Sequence, residues 1–158
     1  MNELRQVDIA GLQRLAGALV KTLPPRIVIG LRGTLGAGKT RLVQAFAAAS
    51  GVDPASVTSP TFTIVQHYRG DRLMHHIDAY RLADEDEFIE LGGEELIEDD
   101  ATVLIEWPER IAACLPRDVL MIDIDVDDDP QTRTIRASCQ DESLMAAAGE
   151  AFAMVGSD

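Results

Sequence analysis

The sequence predicts an α/β protein with a mostly parallel central sheet, helices on both faces and antiparallel hairpins beside it. Three observations carry that prediction. RIVIGL at 26–31 and VLIEW at 103–107 are short, continuous apolar runs of the kind that form fully buried strands. A glycine-rich stretch joins the first of these runs to TRLVQAFAAAS, a strong helix former that begins at Thr40. Finally, two pairs of alternating segments are split by turn residues, which marks hairpins.

The elements follow in order. Asp8 is a suitable N-cap for a helix whose apolar face is Ile9, Leu12, Leu15, Ala16, Leu19 and Val20, and Pro24-Pro25 ends it. After the first strand, the glycine loop leads into a helix with Leu42, Val43, Phe46 and Ala47 on one face and Gly51 just past its end. TFTIVQHY at 61–68 and RLMHHIDA at 72–79 flank Arg69-Gly70-Asp71 as a hairpin. The acidic stretch 84–100 has helical periodicity through Phe88, Leu91, Leu96 and Ile97, broken at Gly92-Gly93, and predicts two short solvated helices. PERIAACLP opens with proline in a favourable first-turn position and predicts a short helix after the second strand. VLMIDIDV at 119–126 and TRTIRAS at 132–138 form the closing hairpin. Residues 1–140 thus read as one domain, and the alanine-rich 141–158 as a weak helix or tail.

Composition narrows the functional class. The chain has 158 residues, 46% of them hydrophobic, enough for one substantial core. Its 27 acidic and 14 basic residues give a formal charge of −13, which disfavours unaided binding to nucleic acid or an anionic membrane. Any nucleic-acid role is expected to run through a more basic partner. No apolar run approaches the length of about 18 residues that spans a bilayer, and MNELRQVDIAGLQ lacks the pattern of a signal peptide, so a cytoplasmic location is expected. Cys114 and Cys139 belong to no ligand-spaced set and read as reduced, small apolar residues.

The chemistry concentrates at Gly33-Thr34-Leu35-Gly36-Ala37-Gly38-Lys39-Thr40, which meets G-x-x-x-x-G-K-[ST] at every fixed position between a predicted strand and a predicted helix. Glycines let the backbone wrap phosphates, amide hydrogens and a helix N-terminus supply positive potential, and the lysine reaches the β- and γ-phosphates. A P-loop NTPase-like fold is the expectation, with the Thr40 hydroxyl on Mg²⁺. Two strand-end acids, Glu106 and Asp78, are candidates to hold the metal's water shell. The hydroxyl-rich loop 57–62 is a candidate γ-phosphate sensor. His75, His76 and Asp78 raise the question of a zinc site, with His76 and Asp78 sharing a strand face and His67 across the hairpin as the candidate third ligand, but hydrogen-bonded strand histidines are the preferred reading. The acidic runs 84–87 and 127–129 lack Ca²⁺-loop spacing and read as solvated faces. Guanine specificity is disfavoured because neither of the chain's lysines, Lys21 and Lys39, lies in an N/T-K-x-D motif, so ATP is the expected nucleotide. A P-loop kinase of a small molecule or protein is the alternative, although no arginine-rich lid is evident. A nucleotide-gated binding module is a third possibility.

Four ordered motifs go further: L-G-A-G-K-T from Leu35 to Thr40, S-P-T-F from Ser59 to Phe62, H-I-D-A-Y-R-L from His76 to Leu82, and I-E-W-P-E-R from Ile105 to Arg110. Their set and spacing resemble the TsaE family, the ATPase subunit of the bacterial machinery that makes threonylcarbamoyladenosine in tRNA, across about residues 8–138. The resemblance implies an ATP hydrolase that uses Mg²⁺ through Thr40 and Glu106, with Asp78, Glu106 and Lys39 as the catalytic set. It implies nucleotide contacts from Gly33, Gly36, Ala37, Gly38, Lys39, Thr40, Arg41, Thr61 and Arg133. Partners implied by the resemblance are TsaB and TsaD, with tRNA met only through their complex and no membrane association. The division of roles between Asp78 and Glu106 stays open at this level. Thr34 and Ala79 depart from residues common in the family, at positions that affect neither phosphate binding nor the acids.

Overall fold

A computed structural model describes residues 2–57 and 63–156. The chain begins with β1 (Asn2–Val7) and α1 (Ile9–Thr22), whose start is fixed by the Asp8 carboxylate accepting from the Gly11 amide at 2.8 Å. Then come β2 (Ile27–Arg32), α2 (Lys39–Ala49), β3 (Val65–Arg69) and β4 (Leu73–Asp78). Two short acidic helices, α3 (Glu85–Glu90) and α4 (Gly93–Glu98), precede β5 (Thr102–Glu106). The chain finishes with β6 (Leu120–Val126), β7 (Arg133–Ser138) and α5 (Glu142–Gly156).

The strands form one sheet in the order β1-β7-β6-β2-β5-β4-β3. Its centre, β6-β2-β5-β4, is parallel, while β3 and β7 pair antiparallel with their hairpin partners and β1 pairs antiparallel with β7. Alternation along each strand sends side chains to two cores. On one face Ile29, Leu31, Leu104, Ile122 and Ile135 pack against Leu15 and Leu19 of α1, Leu42 and Phe46 of α2, and Phe152 of α5. On the other face Val28, Ile77, Val103 and Ile105 meet Phe88 of α3 and Ile111. Helices therefore cover both faces, as expected.

Several details differ from the sequence expectation. Residues 2–7, given no element by the sequence, form edge strand β1, with Leu4 opposite Ile135. The segment 142–156, expected as a weak helix or tail, is a formed helix that buries Ala148, Ala151, Phe152 and Val155. Burial against α1 and β1 supplies what its sequence signal lacks. The segment Pro108–Cys114 is a 3₁₀ stretch kinked at Ile111 in place of a regular short helix. Asp127 is not merely a solvated acid, since it accepts from the hydroxyls of Thr132 and Thr134 at 2.7 and 2.6 Å and ties down the β6–β7 turn. Cys114 and Cys139 are free thiols. No helix among the described residues is long and apolar enough to cross a membrane.

Candidate functional site

Parallel packing brings the C-terminal ends of β2, β5 and β4 side by side, so whatever follows those strands shares one edge of the sheet. The loop after β2 is the glycine-rich stretch. A Cβ at Gly33 would lie 2.6 Å from the backbone oxygen of Ile124, so the close approach of loop and β6 requires glycine. Gly38, at φ 118°, turns the chain into α2 through a conformation that side chains rarely adopt.

Lys39 opens α2 and is almost wholly buried, at 5% exposure. Its ammonium donates to the carbonyls of Gly33 at 2.7 Å and Thr34 at 2.9 Å, bracing the loop from inside. It also lies 4.3 Å from the centre of the Trp107 ring. Burial pushes the Lys39 ammonium below the ordinary lysine range, while the charges of Glu106, Glu109 and Asp78 oppose that shift.

The next residue, Thr40, donates its hydroxyl to Glu106, with Oγ1 at 2.9 Å from Oε1 and 3.1 Å from Oε2. Glu106 ends β5, is 4% exposed, and accepts a further bond from His76 Nε2 at 2.6 Å. Asp78 ends β4 in direct register with Glu106. Burial raises the Asp78 carboxyl above the usual carboxylate range, and the neighbouring Glu106 charge raises it further. Its Oδ1 accepts the Tyr80 amide at 3.1 Å, which starts a 3₁₀ turn at Ala79–Arg81. Two oxygen-bearing side chains, Thr40 and Glu106, thus converge beside the loop, and hard oxygen donors of this kind fit a magnesium ion.

A cleft of about 420 Å³ opens over these groups, with Gly36, Gly38, Arg41 and Arg133 also on its walls. Arg133 reaches across from β7 to donate through Nε to the Ala37 carbonyl at 2.6 Å and through Nη2 to that of Gly36 at 3.3 Å. The sequence expectation was a basic residue presented toward the nucleotide; in the structure the Arg133 guanidinium bonds backbone carbonyls of the glycine loop. Gly33, Gly36, Ala37, Gly38, Lys39, Thr40, Arg41, Asp78, Glu106 and Arg133 are therefore gathered at one sheet edge. Thr61 and the rest of the 58–62 loop lie outside the described residues.

The aromatic wall of the cleft was not singled out by sequence reasoning. Trp107 adopts a left-handed conformation at φ 60°, costly for a side chain of this size, and its amide bonds the Leu31 carbonyl. Tyr80 packs against it with ring centres 5.0 Å apart, and Arg110 lies 5.2 Å from the Tyr80 ring. The signal was present, since both aromatics sit inside the ordered motifs beside Asp78 and Glu106. The histidines behave as hydrogen-bonded strand residues: His75 bonds His67 and Asp99 at 2.8 and 2.7 Å, and His76 bonds Glu106. No cluster of three or more metal-ligating side chains is present among the described residues.

A buried parallel strand running through a glycine loop into a helix, with a lysine and a threonine at the helix start, defines a P-loop NTPase-like fold. The crystal structure of YdiB from Bacillus subtilis superposes with a TM-score of 0.75 at 26% identity, covering 96% of this chain and 94% of that one. The family described as threonylcarbamoyl adenosine biosynthesis protein TsaE matches residues 7–135. The tRNA threonylcarbamoyladenosine biosynthesis protein TsaE of Treponema pallidum is 38% identical over 99 residues, 63% of this chain and 73% of the relative. That of Bacillus subtilis is 38% identical over 116 residues, 73% of this chain and 70% of the relative. The chain belongs to the TsaE family, which acts in tRNA threonylcarbamoyladenosine biosynthesis.

Proposed function

We propose that this protein is a Mg²⁺-dependent ATPase that serves threonylcarbamoyladenosine formation through a TsaB–TsaD complex. The observation that carries the reading is the convergence of Lys39, Thr40, Glu106 and Asp78 around the glycine loop at the edge of a parallel sheet. In this reading the loop amides and the Lys39 ammonium hold the β- and γ-phosphates of ATP and offset the charge that develops between them. Lys39 makes its two bonds to loop carbonyls at 2.7 and 2.9 Å, so the ammonium already sits within the curve of the loop that receives phosphate. Thr40 and Glu106 hold the metal, directly or through its water shell. When bound, Mg²⁺ supplies positive charge to the β- and γ-phosphate oxygens. Asp78, half-buried and with its proton affinity raised, is placed to orient water for in-line attack. Trp107 and Tyr80 wall the cleft and limit access of bulk water. A formal charge of −13 supports a subunit that docks on protein and leaves tRNA phosphates to its partners.

Phosphate release from Mg²⁺-ATP tests the reading, measured on the chain alone and with a matched TsaB and TsaD pair. The expected result is hydrolysis stimulated by the pair and lost in Glu106→Ala, which retains much of its ATP binding, whereas Lys39→Ala loses nucleotide binding outright. A flat rate with ATP still bound would overturn the ATPase assignment, and transfer of labelled γ-phosphate to an acceptor would establish a kinase.

A further inference from the structure

Glu106 is held from below as well as from the side. His76 lies on β4, two residues before Asp78, and its ring is 2% exposed. Its Nε2 reaches Glu106 Oε2 at 2.6 Å, while its Nδ1 is buried with no hydrogen-bond partner among the described residues. The Tyr68 ring is tilted against it, with ring centres 6.3 Å apart.

We infer that His76 is a positioning residue for Glu106, acting as a Nε2–H donor that fixes the rotamer of the carboxylate beneath the cleft. The inference rests on the reading of Glu106 as the carboxylate linked to the metal. Glu106 Oε2 accepts in this pair when the ring carries its proton at Nε2, the tautomer the inference assigns. That tautomer leaves Nδ1 as an acceptor, and no protein donor meets it among the described residues. Among the described residues, the hydrogen bonding of the ring is directed at one oxygen of Glu106.

Geometry explains why a second donor is needed. Thr40 bonds both Glu106 oxygens, but the same hydroxyl oxygen is one of the two groups offered to the cation. A threonine whose oxygen is engaged by a cation has one proton left with which to steer the carboxylate. His76 approaches from the core, through β4, and holds Oε2 independently of what Thr40 does. Carboxylates and histidines that orient metal-binding groups in this way typically affect affinity or activity by about 10–100-fold when removed.

Three variants separate positioning from packing. The amide nitrogen of glutamine reaches about as far as Nε2, that of asparagine ends near Nδ1, and leucine fills space without donating. With ATP and Mg²⁺, His76→Gln is expected to keep kcat within a few-fold of wild type. His76→Asn and His76→Leu should lose about 10–100-fold in kcat while their affinity for metal-free ATP changes less than threefold. Thermal unfolding of each variant accompanies the kinetics. Full activity in His76→Leu would overturn the inference, and so would equal loss in His76→Gln and His76→Leu when both melt like the wild type. An activity-independent arm uses nitrogen-15 NMR of the imidazoles, readily assigned because the chain has three histidines. His76 is expected as the Nε2–H tautomer with an exchange-protected proton, and that protection should be lost in Glu106→Ala. A Nδ1–H tautomer would overturn the inference even if the wild type hydrolysed no ATP. Absence of wild-type hydrolysis together with the Nε2–H signature would instead overturn the ATPase reading while leaving the hydrogen bond in place.

Discussion

The ammonium of Lys39 lies 4.3 Å from the centre of the Trp107 ring, so the lysine of the glycine loop and the single tryptophan of the chain are in direct contact. An indole loses or gains a nearby cation whenever the lysine changes partners, and its emission changes with it. Titration with ADP or ATP is therefore expected to give a saturable change in tryptophan fluorescence. The change should be absent in Trp107→Phe, and the wild-type midpoint should agree with calorimetry. Binding seen by heat with no optical change would mean that the lysine does not move relative to the indole.

Asp78 and Glu106 end neighbouring parallel strands in register, and their proximity has a pH consequence. Burial and the Glu106 charge raise the Asp78 carboxyl in the folded protein above its ordinary, unfolded value. The fold therefore favours the protonated form: the stabilisation is complete below the unfolded value and is lost as pH rises through the raised folded value. Asp78→Asn removes the charge and keeps an oxygen for the Tyr80 amide. At neutral pH the nucleotide-free variant is expected to melt at a higher temperature than wild type, and the advantage should shrink as the solution is acidified through the carboxylate range. Hydrolysis should fall in the same variant. A lower melting temperature at neutral pH would show that the Asp78 charge helps the fold.

Arg133 binds backbone, and its predicted loss follows from that. Besides Ala37 and Gly36, its guanidinium donates to the carbonyls of Pro130 at 2.8 Å and Thr132 at 2.9 Å. One planar fork thus staples the β6–β7 turn to the glycine loop, a task lysine cannot perform with a single ammonium. Arg133→Ala is expected to weaken nucleotide binding by about 1.5–3 kcal/mol, as for hydrogen bonds made by a charged group. Arg133→Lys should recover little of the loss in calorimetry. Full recovery would show that charge alone matters at this position.

Local chemistry explains which parts of this site were legible in the sequence. The β2–loop–α2 unit was readable because a continuous apolar run, fixed glycine spacing and a helix former follow one another within about two dozen residues. Glu106 and Asp78 were readable as strand-end acids for the same reason. Their hydrogen bonds were not, since the approach of His76 to Glu106 depends on the β4–β5 register, which brings together residues 30 apart in sequence. Likewise NELRQV carries too little apolar alternation to announce a strand, and β1 exists because β7 offers it an edge. Its register slips between Leu4 and Val7, where Gln6 takes a positive φ of 55°. Arg133 could be named but not given its role, because its partners belong to a loop almost a hundred residues away.

The C-terminal helix offers the sharpest separation of stability from site chemistry. Residues 142–156 follow the end of the family match at 135, yet α5 lies along α1 and β1, and Asn2 donates to the Met145 carbonyl at 3.5 Å. Alanines let it approach closely, and Phe152, 4% exposed, is its largest buried side chain. Phe152→Ala is expected to cost about 3 kcal/mol, the lower end for a buried phenylalanine, because a terminal helix can settle into part of the cavity. For a chain of this length that corresponds to a melting temperature lower by about 6–12 °C. Nucleotide affinity measured well below the transition should stay at the wild-type value, because α5 lines no wall of the cleft. Chemical denaturation followed alongside a nucleotide titration checks both halves. Should affinity fall together with stability, α5 acts on the glycine loop through α1, and the helix belongs to the working part of the protein.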